Sequence, residues 1–396
     1  MTLGGVKRVT QLLSTLLASH DHKVVVVTGP IRKDEYVLDK TVNRLVLPNF
    51  FQDIYNLTKI AEQQFDVVIF QNNWQPRLLR AYKHYVDNGM KVIAIDHSVY
   101  LNLHYKNLHK IRTDNSLDLQ ISNLRHENLP VANALVCLSS FDQFIWKQLG
   151  VKARFIPNPT TFTNAPIDKR PPIIINVGRL IDKDKQALLA IKAMKQLHEM
   201  NNESILKMIG PFDHQLQQAA AGSPFIQLLG FQSNVQEHMR NASVLMMTSQ
   251  YEGYPMVVVE AISQGIPVVS FALKYLAINK CGVVQVPKRD TLKMAEEINK
   301  LLSNETLRQV KATLAQKCLD EMNSEVLPKW NDLLDKVVNN KEIDFKDEVD
   351  QQFVENVLVD EMKGIRQMAE QTQKQNKVER SKKVKTIKRQ FIKRKK

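Results

Sequence analysis

Short apolar runs with no polar interruption recur along nearly the whole chain, and stretches of helical periodicity separate them. In the first half they are Lys23–Gly29 (KVVVVTG), Phe65–Phe70, Lys91–Asp96, Ala134–Ser139 and Ala153–Pro157. In the second half they are Pro172–Val177, Ser204–Ile209, Phe225–Leu229, Ser243–Thr248, Ile266–Phe271 and Gly282–Val286. A strand wetted on one face alternates apolar and polar residues, whereas a run apolar throughout is covered on both faces, as in a parallel sheet. Between the runs, Val9, Leu12, Leu13, Leu16 and Leu17, and later Leu188, Leu189, Ile191, Met194 and Leu197, fall at helical spacing. Repeated βα units dictate an α/β chain with doubly wound sheets. About a dozen strands exceed what one such sheet usually holds, so two are expected.

The division between them is legible. Pro157-Asn158-Pro159 and the stretch from Pro166 to Pro172 bracket a polar segment without periodicity. Proline restricts its own backbone and its predecessor's, which is linker chemistry. The expected plan is a Rossmann-like domain over 1–165 and a second over 166–325. A helix over 326–340, carrying Trp330, Leu333, Leu334 and Val337, then lies across both. Residues 341–396 form an acidic-then-basic tail, with one amphipathic helix marked by Phe353, Val357, Leu358, Met362 and Ile365.

Charge follows the same plan. The net charge is +14, but residues 371–396 alone contribute +11, leaving a body close to neutral. Residues 341–370 contribute −5, so a solvated appendage is expected after the folded part. The basic segment suits an anionic membrane surface, since Val384, Ile387, Phe391 and Ile392 interleave with its cations at roughly helical spacing. A disordered solubilising tail is the plainer reading. Nucleic acid is unlikely as a partner, because no base-reading module accompanies the charge. Salt-sensitive binding to anionic liposomes, lost on deleting 371–396, would separate these readings.

Hydrophobic residues at 43% and charged residues at 24% exclude wholesale disorder. Cys137, Cys281 and Cys318 are far apart, lack zinc or redox spacing and are odd in number, so they are read as reduced thiols of a cytoplasmic protein. No run reaches the roughly 18 apolar residues of a membrane span. The chain opens MTLGGVKRV, a Gly-Gly turn leading into a helix with no strand ahead of it. In a doubly wound domain such a turn follows the first, central strand. The first domain is therefore expected to lack that strand, through a start site placed too far downstream or a truncated gene.

The chemistry gathers in the second half. Val177-Gly178-Arg179-Leu180 and then Lys185 follow one run, and Gly210-Pro211 follows the next. Ser249-Gln250-Tyr251-Glu252-Gly253-Tyr254-Pro255 follows a third and leads into Glu260-Ala261. Each group stands at the carboxyl end of an expected strand, where open α/β sheets bind ligands. Gly253 allows close backbone approach, and Pro255 suits the first turn of a helix whose free N–H groups attract phosphate. Arg179 and Lys185 can balance the charge of a diphosphate leaving group. Glu260, inside that helix, can accept two hydrogen bonds from a ribose diol, while Glu252 faces the same cleft from its mouth. A nucleoside-diphosphate sugar fits these parts.

The acidic pair with seven residues between, embedded in YEGYPMVVVEAISQGIPVV after VGRL, GP and the IPNP hinge, resembles the signature of family 4 glycosyltransferases of the GT-B fold. The resemblance spans roughly residues 1–340. It implies a retaining hexosyltransferase-type enzyme that moves a sugar from a nucleoside-diphosphate donor to a surface-glycan or lipid-linked acceptor, needs no metal or cofactor, and works in the cytoplasm, with a peripheral place on the inner face of the membrane as the further option. By matching position, Arg179 and Lys185 would contact the diphosphate, Glu260 the ribose, and Glu252 with the Gly253–Pro255 backbone the sugar. Gly178, Gly210 and Tyr254 would complete the donor site. Gly4 and Gly5 match a loop facing the cleft, and His97 a strand-end histidine near the transferred sugar. The family's lysine stands five residues after the arginine; here Lys185 is sixth and Lys183 competes with it. The stretch after Phe271 lacks the usual Gly-Pro-x-Glu, leaving that wall of the pocket open. Asp182-Lys183-Asp184 is formally a cation-binding Asp-x-Asp, although it lies between the supposed phosphate ligands. The alternative function is a non-catalytic GT-B subunit that partners an active transferase.

Overall fold

The computed structural model describes residues 5–31, 36–55, 65–71, 74–102, 117–367 and 370. Each apolar run named above becomes a strand, and every strand pairing is parallel. The first half holds β1 (Val25–Thr28), β2 (Asn43–Val46), β3 (Val68–Phe70), β4 (Val92–Asp96), β5 (Ala134–Cys137) and β6 (Ala153–Phe155). The second holds β7 (Ile173–Val177), β8 (Ile205–Ile209), β9 (Ile226–Gly230), β10 (Val244–Met247), β11 (Val268–Phe271) and β12 (Val284–Val286). β2 has no counterpart in the sequence reading, because Asn43 and Val46 are exposed and Arg44 interrupts the apolar pattern.

The second sheet runs β12-β11-β10-β7-β8-β9. Strand order reverses between β7 and β10, and the crevice beyond their carboxyl ends is the topological switch point where such sheets take ligands. The first half is built in two hydrogen-bonded blocks, β1-β2 and β3-β4-β5-β6. The Gly5–Ala18 helix is the first described element. The expectation that a first strand is missing ahead of it concerns residues 1–4, which lie outside the described residues.

Burial explains the uninterrupted patterns. All five positions of β4 and all four of β5, β10 and β11 are buried. One face of the second sheet packs on the Ala187–Met200 and Thr291–Leu302 helices through Ile191, Met194, Met294 and Ile298. Its other face packs on the Met256–Ser263 and Glu305–Ser324 helices, and there Val99, Leu101, Leu138 and Phe141 of the first half join the same core. The Val326–Val338 helix returns to the first half, where Trp330, Leu333 and Val337 pack with Leu13, Ile93 and Val136.

Two expectations are corrected. Residues 344–365 are docked on the folded part. Lys147 holds Asp344 and Asp347, Lys274 holds Asp360, and Lys288 holds Glu361 at 2.6 Å. The helix over 351–367 buries Val354, Val357 and Ile365 in the core shared by both halves. Acidic residues that read as solvated are thus counter-ions for lysines far away in the chain. The basic segment 371–396 lies outside the described residues. Secondly, Cys281 and Cys318 form a disulfide, leaving Cys137 as a buried thiol. The fold brings the two Cα atoms to 5.2 Å although 37 residues separate them. Spacing could not reveal this, and a bridged pair does not speak for a reducing compartment. Among the described residues no helix is long and apolar enough to cross a membrane.

Candidate active site

The loops after β7 and β10 are stitched together at the switch point. Gln250 N–H donates to the Asp184 carbonyl at 2.7 Å, and the Thr248 hydroxyl donates to the Lys185 carbonyl at 2.8 Å. Gln186, left-handed at φ 49°, turns the chain into the Ala187–Met200 helix. These constraints aim Lys185 across the crevice at Glu252, with Nζ 2.6 Å from Oε1. Burial works to lower the Lys185 ammonium, but the carboxylate outweighs it and holds the lysine above its usual value. Glu252 N–H donates to the Tyr275 hydroxyl at 3.3 Å, and the Tyr275 ring packs on Phe141 of the first half.

Of the two candidate lysines, Lys185 lines the crevice together with Thr248, Ser249 and Glu252, whereas Lys183 is exposed. The crevice has a volume of about 10 Å³. A space of that size takes about one water molecule. Arg179 stands at the rim, 71% exposed, with Nη2 2.9 Å from Asp182 Oδ2. One carboxylate of the Asp-x-Asp is therefore already engaged with a cation.

Two glycines are dictated by close approach. A Cβ on Gly210 would lie 1.7 Å from the Gly178 carbonyl oxygen, and Gly210 sits at φ +130°. Only glycine lets the ends of β7 and β8 meet in this way. A Cβ on Gly253 would lie 2.4 Å from the His97 carbonyl oxygen and 2.9 Å from Ser98 Cα. The two halves of the molecule thus touch, backbone to backbone, at Gly253.

His97 follows β4 and is held from the side by Gln71, with Nε2 2.8 Å from Oε1. Burial pushes its imidazole down to about 4, so it is neutral at pH 7 and acts as a hydrogen-bonding group. The loop carrying it hangs on two buried carboxylates. Asp96 accepts the Ser98 N–H at 3.3 Å and pairs with Arg125, while Asp142 accepts the Tyr100 N–H at 2.8 Å. Trp74 and Trp146 flank the Arg125 guanidinium at 4.5 and 5.3 Å from the ring centres. Arg125, Asp142 and Tyr275 went unnoticed in the sequence because each lies far along the chain from the group it supports.

Glu260 lies on the Met256–Ser263 helix, as expected, but its charged neighbours belong to the first half. Burial pushes its carboxyl up to about 7, with the Thr161 hydroxyl and the Arg8 guanidinium drawing it partway back. Arg8 itself stacks 5.2 Å from the Tyr36 ring centre and bonds Gln11 at 2.6 Å. Lys185, Glu252 and Arg179 therefore form one cluster. Glu260 faces another with Thr161, Arg8 and Tyr36, and no described contact joins it to Arg179. Arg8, on the Gly5–Ala18 helix, is the cation that sequence reading passed over.

The Tyr254 ring is only 7% exposed and belongs to the shared core, so that residue can offer a ligand its backbone alone. Two further expectations are corrected. Pro255 occupies the N-cap of the helix, with ψ 97°, instead of its first turn. Gly5 is an exposed helical residue where a Cβ would meet nothing within 4 Å, so no close approach requires glycine there. Gly4 lies outside the described residues.

Both halves of the chain match known protein families. Residues 3–161 match the family described as glycosyltransferase family 4, and residues 158–317 that described as glycosyl transferases group 1. The amylovoran biosynthesis glycosyltransferase AmsD of Erwinia amylovora is 34% identical over 103 residues, covering 25% of this chain and 29% of that protein. A Campylobacter jejuni enzyme named GalNAc-alpha-(1->4)-GalNAc-alpha-(1->3)-diNAcBac-PP-undecaprenol alpha-1,4-N-acetyl-D-galactosaminyltransferase is 25% identical over 232 residues, covering 54% of this chain and 64% of that protein. Both matches span less than two thirds of the relative. Sucrose-phosphate synthase from Thermosynechococcus elongatus superposes with a TM-score of 0.67 at 17% identity, over 85% of this chain and 94% of that one. WaaG, a glycosyltransferase involved in lipopolysaccharide biosynthesis, gives 0.62 at 18% identity, over 86% and 96%. At these identities the solved structures speak for the fold alone. Matched along both halves and folded as two facing parallel-sheet domains, the chain belongs to the group 1, family 4 glycosyltransferases of the GT-B fold.

Proposed function

We propose that this chain is a retaining glycosyltransferase that moves a sugar from a nucleoside-diphosphate donor to a surface-glycan or lipid-linked acceptor, without a metal ion. The observation that carries the reading is the Lys185–Glu252 pair at the switch point of the second sheet. It is a cation and an anion held ready for exchange. A donor's diphosphate takes Lys185, Arg179 swings from the rim to share the charge, and the released Glu252 accepts hydrogen bonds from the sugar hydroxyls. Phosphate also gains from the free N–H groups at the start of the Met256–Ser263 helix.

As the bond from the anomeric carbon to the diphosphate oxygen breaks, its electrons pass to the diphosphate. The acceptor hydroxyl bonds to the anomeric carbon on the face being vacated, and its proton passes to the departing diphosphate. No protein nucleophile is assigned. His97, neutral and beside Gly253, hydrogen-bonds at the sugar end. The contact between halves there keeps water from the reacting carbon. The relatives' names support the acceptor class, one through amylovoran biosynthesis and the other through a PP-undecaprenol glycan.

A thermal-shift screen of nucleoside-diphosphate sugars on the parent and on Glu260→Ala tests the reading. One donor is expected to stabilise the parent and fail on the variant, in EDTA as in magnesium. Equal shifts for both proteins would remove Glu260 from the site, and no shift with any donor would remove the donor reading itself.

A further inference from the structure

The stretch after β11, which the sequence leaves open, folds into a fixed wall. Leu273, Tyr275, Leu276, Ile278 and Cys281 are each 4% exposed or less. The Asn279 side-chain amide donates to the Leu273 carbonyl at 2.7 Å, and the disulfide from Cys281 to Cys318 ties the end of the stretch to the Glu305–Ser324 helix. One atom in this wall is more than packing. A phenylalanine would fill the Tyr275 site as an apolar core residue, whereas a buried hydroxyl costs free energy unless it is hydrogen-bonded. The Tyr275 hydroxyl accepts the Glu252 N–H at 3.3 Å, and burial holds the phenol well above its ordinary range, so it stays protonated.

Glu252 lies in an irregular segment pinned on either side. Gln250 N–H is held by the Asp184 carbonyl, and the Gly253 backbone is pressed against that of His97. The Tyr275 hydroxyl fixes the peptide between those pins. Behind it, the Tyr275 ring packs on Phe141 with ring centres 5.7 Å apart. Phe141 belongs to the first half, on the Ser140–Gln148 helix. The next residue on that helix, Asp142, accepts the Tyr100 N–H of the loop that carries His97. Two adjacent residues of one helical turn thus brace His97 on one side of the crevice and Glu252 on the other.

From this we infer that Tyr275 is a positioning residue for the sugar end of the site: it sets the Glu252 peptide against the first half, so that Glu252 takes its working place only with Phe141 seated behind it. The hydroxyl supplies the alignment and the ring supplies the reference, since a packed core is bistable and does not deform by degrees. When the halves part, Phe141 leaves the ring and the Glu252 peptide loses its backing. The sugar's part in this rests on the transferase reading, whereas the bracing of Glu252 does not.

The test compares the parent with Tyr275→Phe, Phe141→Leu and the double variant, first without ligand and then with it. Tyr275→Phe keeps the ring and removes only the hydroxyl. Hydrogen exchange of the Glu252 amide should quicken about tenfold in Tyr275→Phe, with the urea midpoint of unfolding little changed. Phe141→Leu should quicken it as well, and the double variant should match Tyr275→Phe alone, because the ring acts through the hydroxyl. Titration calorimetry with UDP, GDP, UDP-glucose, UDP-N-acetylglucosamine and GDP-mannose follows. Tyr275→Phe should hold the nucleotide within about twofold of the parent and weaken the matching nucleotide sugar about tenfold. A merely structural role would weaken both alike. Unchanged exchange at Glu252 in Tyr275→Phe overturns the bracing, independent effects of the two substitutions overturn the link to Phe141, and equal weakening of nucleotide and nucleotide sugar overturns the role at the sugar end. A parent that binds none of these ligands strikes the donor reading instead, and the exchange result still decides the bracing.

Discussion

Lys185 and Glu252 neutralise one another at 2.6 Å, so the site stores its charge as a pair and not as an open cationic patch. Breaking a half-buried pair has a cost, which on the proposed function the incoming diphosphate and sugar offset by engaging both partners. Glu260 presents a different economy of charge. Its carboxyl, pushed up to about 7 from the ordinary 4.5 by burial, holds a proton over a range where the unfolded chain has lost it. The native state therefore loses stability as pH rises from about 4.5 through about 7, because ionisation there favours the unfolded chain. On the proposed function, a ribose diol donates to the ionised carboxylate and moves the balance the other way. Donor affinity, measured by titration calorimetry, should rise with pH through about 7 in the parent and stay flat in Glu260→Gln. A rise of the same size in the variant would assign the effect to another group.

Among the elements, the helix over 351–367 bears the most unexpected burden. Val354 and Val357 are each 2% exposed in a core that also contains Val99 and Phe141 of the first half and Tyr254 and Val258 of the second. Val357→Asp replaces one of these contacts by an unpaired carboxylate and should cost about 3 kcal/mol or more, seen as a lower urea midpoint of unfolding. Val359→Asp, at 51% exposure, is the control and should leave the midpoint nearly unchanged. Apolar runs and helical spacing revealed the strands around the site because sheets covered on both faces impress burial on every residue. The same logic misses β2, whose residues are half exposed. It also misses the docking of 344–365, where acidic residues look the same in sequence whether they face water or a distant lysine. The lysine at the site, Lys185 and not Lys183, was decided by the turn at Gln186, which spacing alone cannot fix. The aromatic and ionic support of the His97 loop escaped for a related reason, since Asp96 and Arg125 meet only after β4 and the Leu117–Asn128 helix are placed.

Across the two domains, contact is made where a side chain is forbidden. The His97 carbonyl occupies the space of a Gly253 Cβ, so an alanine there must push the domains or their loops apart. Gly253→Ala should leave the circular-dichroism spectrum intact and enlarge the radius of gyration in small-angle scattering. It should also lower kcat/KM on the order of a hundredfold, the usual consequence of misplacing reacting groups by about an ångström. An unchanged radius with full activity would show that the contact does not set closure. The account as a whole stands on capture of a diphosphate by Lys185. Calorimetry of UDP and GDP, each against its own nucleoside, on the parent and on Lys185→Gln tests this most directly. The account predicts that one nucleotide binds the parent, that the substitution weakens it at least about tenfold, and that the matching nucleoside is scarcely affected. Equal affinity of parent and variant for the nucleotide would contradict it.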